Sequence, residues 1–214
     1  MWTRDITQNA HQFILSHISN CEENSLNVLD ATMGNGNDTL FLASLAQARE
    51  VWAFDVQRLA IKNTKENLEN KLNILSDSSN KYHNTNIENI NEVSIKTSNN
   101  TKINLICQSH LAFTDFITDK LDIIMFNLGY LPTSDKKIST EAEITVKTIE
   151  KCLKQLNSMG IMTIITYIGH DNGMEYSIIK QYLGNIAYKD YKVLRITIDN
   201  ASENCPQLFV VIKE

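Results

Sequence analysis

Asn27-Val28-Leu29-Asp30-Ala31-Thr32-Met33-Gly34-Asn35-Gly36-Asn37-Asp38-Thr39 runs from a short apolar segment, through a turn rich in glycine and asparagine, into the alanine-rich stretch Thr39 to Ala48. Its first four residues read as a buried strand and its last stretch as a helix, a strand–turn–helix unit. Gly34 and Gly36 let the backbone turn sharply and approach a ligand closely, and a helix start favours negative charge. Such a turn alone fits a nicotinamide dinucleotide as well as any other nucleoside cofactor. Asp30 shifts the balance. A carboxylate ahead of the glycines suits the cationic amino group of S-adenosylmethionine better than it suits a pyrophosphate.

Working outward, Val51 to Asp55 reads as a second strand and Leu59 to Leu72 as a second helix. Asp55 closes that strand about twenty residues past the glycines, where a carboxylate accepts both ribose hydroxyls, with Gln57 nearby. Strands are expected at Ile103–Gln108, Asp122–Phe126 and Ile161–Thr166, and a helix at Thr140–Asn157 with Gly160 as its C-terminal cap. Ser109 and His110 follow the first of these strands, where hydrogen bonding to adenine or stacking on it is expected. A helix at Met174–Leu183 precedes strands at Lys192–Ile198 and Gln207–Ile212, joined by a polar turn containing Pro206. An amphipathic helix over Ile6–Ile18 opens the chain. Ser76–Lys102 is polar and asparagine-rich and reads as a long surface insertion. Alternating strands and helices predict a Rossmann-like α/β fold: a doubly wound, mostly parallel sheet ending in an antiparallel hairpin, in one domain over 1–214.

The chain has 214 residues and a formal net charge of −5, which argues against a broad phosphate-gripping surface for duplex nucleic acid. It leaves room for a local basic patch: Lys147, Lys151 and Lys154 share a helix face, and Lys136 and Lys137 lie upstream. The four cysteines, Cys21, Cys107, Cys152 and Cys205, are dispersed, so no zinc site or disulfide framework is expected, and free thiols suit a cytoplasmic protein. No apolar run approaches a membrane span. The opening helix is a candidate surface for a homodimer.

The fourth expected strand runs into Phe126-Asn127-Leu128-Gly129-Tyr130-Leu131-Pro132. Enzymes that methylate amino groups of nucleobases often carry Asn-Pro-Pro-Tyr at this edge. There the Asn side chain and a following carbonyl accept hydrogens from the amine, and the aromatic ring stacks on the base. Asn127 and Tyr130 keep that spacing, Leu128 and Gly129 replace the prolines, and the Leu128 carbonyl remains an acceptor.

With this motif, Ala10-His11, Asp30 to Leu40, Phe54-Asp55-Val56-Gln57, Ser109-His110, Asp135-Lys136, Tyr167-Ile168-Gly169-His170 and Asn204-Cys205-Pro206 complete a pattern that spans nearly the whole chain. The pattern resembles the rRNA methylase family, whose members include the tRNA 5-aminomethyl-2-thiouridine methyltransferases. The resemblance implies cofactor contacts at Asn35, Asn37, Asp55, Gln57, Ser109 and His110. It also implies a target: the primary amine on the aminomethyl group of the wobble uridine, in the anticodon stem-loop of tRNA. Gln108 stands where many relatives have Asp, and the 76–102 stretch has no counterpart to carry over.

Transfer of a methyl group to an amine requires a neutral nitrogen in line with the sulfonium methyl, so positioning is the main contribution. Asp38, Asn127, Tyr130, Tyr167 and His170 are the candidates to surround that nitrogen, and the sequence does not choose a general base among them. Two alternatives stay open within the class, a methyltransferase for rRNA and one for a small amine metabolite. A nicotinamide oxidoreductase is disfavoured by Asp30 and by the lack of an evident acid/base set for hydride transfer.

Overall fold

A computed structural model describes residues 5–75, 91–129, 142–168, 173–202 and 204–214. In chain order the elements are α1 (Ile6–His17), β1 (Leu26–Asp30), α2 (Asn37–Ala43), β2 (Ala48–Asp55), α3 (Arg58–Lys71), β3 (Glu92–Lys96), β4 (Lys102–Cys107), a 3-10 turn (His110–Asp115), β5 (Leu121–Asn127), α4 (Ala142–Gln155), β6 (Leu156–Thr166), α5 (Met174–Asn185), β7 (Tyr191–Ile196) and β8 (Gln207–Lys213). They fall into two compact units, Cys21–Asp119, and Met1–Asn20 with Lys120–Glu214.

In the unit Cys21–Asp119 the strands are hydrogen-bonded in the order β3-β4-β2-β1. β1 and β2 are parallel, as are β2 and β4, with Asp30 opposite Ala53 and Asp55 opposite Cys107. All five residues of β1 are buried. That explains its unbroken run, because a parallel strand covered on both faces cannot alternate. The register brings the C-terminal ends of β1, β2 and β4 to one edge, and the turns that leave that edge carry Gly34–Gly36, Gln57 and Ser109–His110. This is the edge at which open α/β sheets bind ligands.

Two expectations in this unit are corrected. The helix predicted over Thr39–Ala48 ends at Ala43, and Ala48 already belongs to β2. Ser44 stops it: its hydroxyl donates back to the carbonyls of Leu40 (2.6 Å) and Phe41 (2.9 Å). Such bonds satisfy the last carbonyls of a helix in place of a further turn. The stretch read as a surface insertion also contains an edge strand. Val93 and Ile95 of β3 are buried while Glu92, Ser94 and Lys96 face out, and β3 pairs antiparallel with β4. Residues 76–90 lie outside the described residues.

In the other unit the order is β5-β6-β8-β7. β5 and β6 are parallel, and β8 runs antiparallel to both β6 and β7, so the expected C-terminal hairpin is present. α1 is capped by Asp5, whose Oδ1 accepts from the amides of Thr7 (2.9 Å) and Gln8 (3.3 Å). Its apolar face, Ile6, Ala10 and Ile14, is buried and packs on β6 and β8 within the same chain.

Gly160 is not a helix cap. It lies inside β6, which follows α4 without a loop. The β5–β6 register jumps there, from Leu121 opposite Leu156 to Ile123 opposite Ile161. A Cβ on Gly160 would stand 2.8 Å from the Leu156 side chain and 2.9 Å from the Asn157 carbonyl, so this irregularity needs glycine for space. Met159, beside it, takes the left-handed φ of 60°.

Candidate active site

The turn after β1 is built from its own backbone. The Gly36 amide donates to the Met33 carbonyl (2.8 Å), and the Met33 amide donates to the Phe54 carbonyl at the end of β2 (2.9 Å). Gly34 and Gly36 have φ of 51° and 78°, a region that L side chains rarely enter. Gly36 has a second reason to be glycine: its Cβ would stand 2.8 Å from the Cα of Thr64 on α3. The closest approach at Gly36 is therefore to a helix of the same unit.

Asp30 is fully buried. Its Oδ1 accepts from the Thr32 amide (3.0 Å) and its Oδ2 from the Thr39 hydroxyl (2.6 Å), which ties β1 to the first turn of α2. In this structure its carboxyl group shapes the turn from inside and presents no surface. Burial, and then the nearby Asp38 carboxyl group, push its pKa up to about 7, against the hydrogen bonds from Thr39 and Thr32. Asp38 is itself buried in the first turn of α2.

Asp55 holds the turn from the other side. Its Oδ2 accepts from the Gly34 amide (3.0 Å) and its Oδ1 from the Gln57 amide (2.8 Å). Burial raises its pKa despite these bonds. A carboxylate has about four acceptor positions, so an Asp55 oriented by the backbone amides of Gly34, Gln57 and Val56 can still take a ribose hydroxyl. Three carboxyl groups, Asp30, Asp38 and Asp55, thus surround one glycine turn. A cationic ligand lowers the cost of ionising them and a pyrophosphate raises it. The turn therefore fits a sulfonium- and ammonium-bearing nucleoside, such as the expected S-adenosylmethionine, better than it fits a dinucleotide.

Asn35 is fixed by α3: Asn63 donates to its side-chain oxygen (2.8 Å) and Asn67 to its carbonyl (3.2 Å). Asn37, the first residue of α2, is exposed. After β4 the Ser109 hydroxyl accepts from the Leu111 amide (3.2 Å) and starts the 3-10 turn. His110 is buried, with Nδ1 3.1 Å from the Ala31 carbonyl. Only an N–H can donate to that carbonyl, which assigns the proton to Nδ1. Burial lowers its pKa to about 4, so the imidazole is neutral at pH 7. The structure thus brings Gly34, Asn35, Gly36, Asn37, Gln57, Ser109 and His110 to the ends of three neighbouring strands, around the carboxyl groups.

In the other unit, Asn127 ends β5 and Tyr167 follows the end of β6. The parallel register pairs Asn127 with Ile165, and the Tyr167 hydroxyl donates to Asn127 Oδ1 at 3.0 Å. The Leu128 amide donates to the Ile165 carbonyl (2.9 Å) and its side chain is fully buried, so the chain leaving Asn127 is pinned. Tyr130, Lys136, Lys137 and His170 lie outside the described residues. The basic patch on α4 is diluted: Lys147 pairs with Glu143 (3.8 Å) and Lys154 with Glu150 (2.7 Å) along the same helix. Among the described residues no group of His, Cys, Asp and Glu is arranged to hold a metal, and no helix is long and apolar enough to cross a membrane.

Several residues that shape the site escaped the sequence reading. Thr39 clamps Asp30, and Asn63, Thr64 and Asn67 hold the glycine turn, Thr64 through a hydroxyl bond to the Gly34 carbonyl (3.2 Å). The signal was there in part: positions 63, 64 and 67 are polar and share one face of an otherwise amphipathic helix.

Comparison with known proteins follows the same lines. A "putative rRNA-methylase" of Clostridium thermocellum superposes with a TM-score of 0.79 at 29% identity, covering all of both chains. A "putative methyltransferase" of Streptococcus mutans, solved in complex with SAH, gives a TM-score of 0.75 at 28% identity, again over all of both chains. The expected Rossmann-like fold with its C-terminal antiparallel strands is therefore the observed one. The chloroplastic tRNA (mnm(5)s(2)U34)-methyltransferase of Arabidopsis thaliana is 28% identical over 154 residues, which are 69% of this chain and 48% of the relative. The chain thus matches about half the length of that protein. The profile of the family described as "Putative rRNA methylase" matches residues 51–213, and the chain belongs to that family.

Proposed function

We propose that the chain is an S-adenosylmethionine-dependent RNA methyltransferase whose acceptor is the primary amine of an aminomethyl group on the wobble uridine of tRNA. The reading is carried by the acceptor edge, where the Asn127 amide oxygen is held at the end of β5 by the Tyr167 hydroxyl, 3.0 Å away. An amide oxygen accepts hydrogens from an amine and does not protonate it, so it can align a neutral nitrogen without removing its lone pair. The family and the Arabidopsis relative's name support the substrate class.

The cofactor supplies an electrophilic methyl group. Asp55 and Gln57 hold its ribose side, Ser109 and His110 its base, and the carboxyl groups around Gly34–Gly36 favour its positive charge. Asn127 Oδ1 and the Leu128 carbonyl orient the amine. With the cofactor bound, the amine would take the methyl group from the sulfonium and release one proton, while these two oxygens would hold the nitrogen in line. Asp38, Tyr130 and His170 remain candidates for contact with the nitrogen on the sequence pattern alone. Lys136, Lys147 and Lys151 are proposed contacts to the stem phosphates, in one methyltransferase domain that acts in the cytoplasm, where free thiols persist.

Incubation of the protein with methyl-labelled cofactor and total small RNA tests the class of substrate. Label appearing in RNA, and lost from the macromolecular fraction after RNase treatment, supports the reading. Label confined to small amines overturns it in favour of a metabolite methyltransferase.

A further inference from the structure

The Asn204-Cys205-Pro206 block has no role in the chemistry above, yet Cys205 and Pro206 line a cavity of about 600 Å³. The first turn of α1, Tyr167 after β6, and the turn between β7 and β8 line it. Its size lies within the roughly 300–1,000 Å³ of small-molecule pockets. We infer that this cavity receives the target pyrimidine of the RNA, with Thr7 and Asn200 reading the edge of the base. The inference rests on the RNA methyltransferase reading and adds to it the residues that select the base.

The lining has the two components a planar heterocycle needs. Ile198, Ala201, Pro206 and Tyr167 are lining residues with apolar groups, and Thr7 and Asn200 are lining residues that carry a hydroxyl and an amide. Among the described lining residues none is Lys or Arg and Asp5 is acidic, a lining that favours a base over a phosphate. A base enters such a pocket and its backbone stays outside.

The frame is built in advance of any ligand. The Ala201 amide donates to the Ile198 carbonyl (3.0 Å), the Cys205 amide to the Ser202 carbonyl (2.9 Å), and the Gln207 side chain to the Cys205 carbonyl (3.3 Å). Asp5 fixes the opposite wall by capping α1 through the Thr7 amide (2.9 Å). Such a site does not have to be ordered when ligand binds. Tyr167 joins it to the acceptor edge, since the residue that lines the cavity also donates to Asn127 Oδ1. An occupant is thus one side chain away from the oxygen proposed to hold the amine. An anticodon-loop uridine, already unpaired, enters with little unpairing cost.

The test uses the full chain with Ala201→Trp, which fills the cavity from an exposed turn position, Asn200→Ala, which removes an edge reader, and Tyr188→Trp as a control on a surface residue 80% exposed. Three readouts are taken: calorimetric affinity for S-adenosylhomocysteine, affinity for an anticodon stem-loop RNA, and kcat and KM for methyl transfer to tRNA. Ala201→Trp is expected to raise the RNA Kd and KM about tenfold or more, the loss of about one stacked base. Its cofactor affinity should stay within about twofold of wild type. Asn200→Ala is expected to narrow the preference for a uridine over a cytidine at the target position, a change that a merely structural role would not produce. Wild-type KM in Ala201→Trp, together with unchanged base preference in Asn200→Ala, overturns the pocket and leaves the RNA reading standing. A wild-type protein that neither binds nor methylates RNA overturns both.

Discussion

Replacement of Asp55 by alanine probes the cofactor turn most sharply, because this carboxylate fixes the turn and is only partly buried. Its oxygens accept from the Gly34 amide at 3.0 Å and the Gln57 amide at 2.8 Å, and burial raises its pKa, so it enters binding partly desolvated and already oriented. A hydrogen bond to a charged partner contributes about 1.5–3 kcal/mol. Loss of the ribose contacts should therefore weaken S-adenosylhomocysteine binding by roughly 10- to 150-fold. Asp55→Asn keeps one acceptor oxygen and loses the charge, so its affinity should fall between wild type and Asp55→Ala. Isothermal titration calorimetry at pH 7.5 reads both affinities, with circular dichroism and thermal melts to establish that the variants fold. Wild-type affinity in a folded Asp55→Ala protein would refute the assignment of this residue to the cofactor.

Asn127→Ala should lower kcat for methyl transfer about tenfold or more and change S-adenosylhomocysteine affinity less than twofold, because its proposed contact is to the nucleophile; steady-state kinetics with calorimetry separate the two. Asp30 and His110 pull the pH dependence of stability in opposite directions. Native His110 titrates at about 4 against 6.5, so its contribution is complete above pH 6.5 and is lost as the pH falls toward 4. Native Asp30 titrates at about 7 against 3.8, so its contribution is complete below pH 3.8 and is lost as the pH rises toward 7. Urea unfolding from pH 4 to 7 should therefore show the stability of Asp30→Asn, minus that of wild type, rising by up to about 1.4 kcal/mol per pH unit. A constant difference contradicts the raised pKa. Replacing residues 76–90 with a short Gly/Ser linker should leave cofactor affinity unchanged. A replacement that extends through β3 removes the buried Val93 and Ile95 and should destabilise the fold by about 3–6 kcal/mol, read by denaturant titration.

The glycine turn and the strands around it were legible because apolar runs and paired glycines are local signals. Asp30 and Asp55 also stood out by position, but position does not say which way a side chain points. Asp30 turns inward because Thr39, nine residues later, offers its hydroxyl once α2 has folded back over β1. The pairing of Tyr167 with Asn127, forty residues apart, follows from the β5–β6 register and has no local signature. β3 was hidden because two buried residues, Val93 and Ile95, are too short an alternation to stand out in a polar stretch. Gly160 misled for a different reason. A glycine after a helix signals a cap, but here the helix runs straight into a strand and the glycine makes room for Leu156. Ser44 ended α2 by back-bonding to two carbonyls, a choice that helix propensity alone does not reveal.

The central claim is that one methyl group passes to the aminomethyl nitrogen of a wobble uridine in tRNA. The most direct measurement supplies the protein with methyl-labelled cofactor and two matched tRNAs, one carrying the aminomethyl group and one lacking it, and locates the label by mass spectrometry of the nucleosides. The account predicts one added methyl on the aminomethyl-bearing nucleoside of the first tRNA and none on the second. Equal methylation of both tRNAs, or of neither, contradicts it.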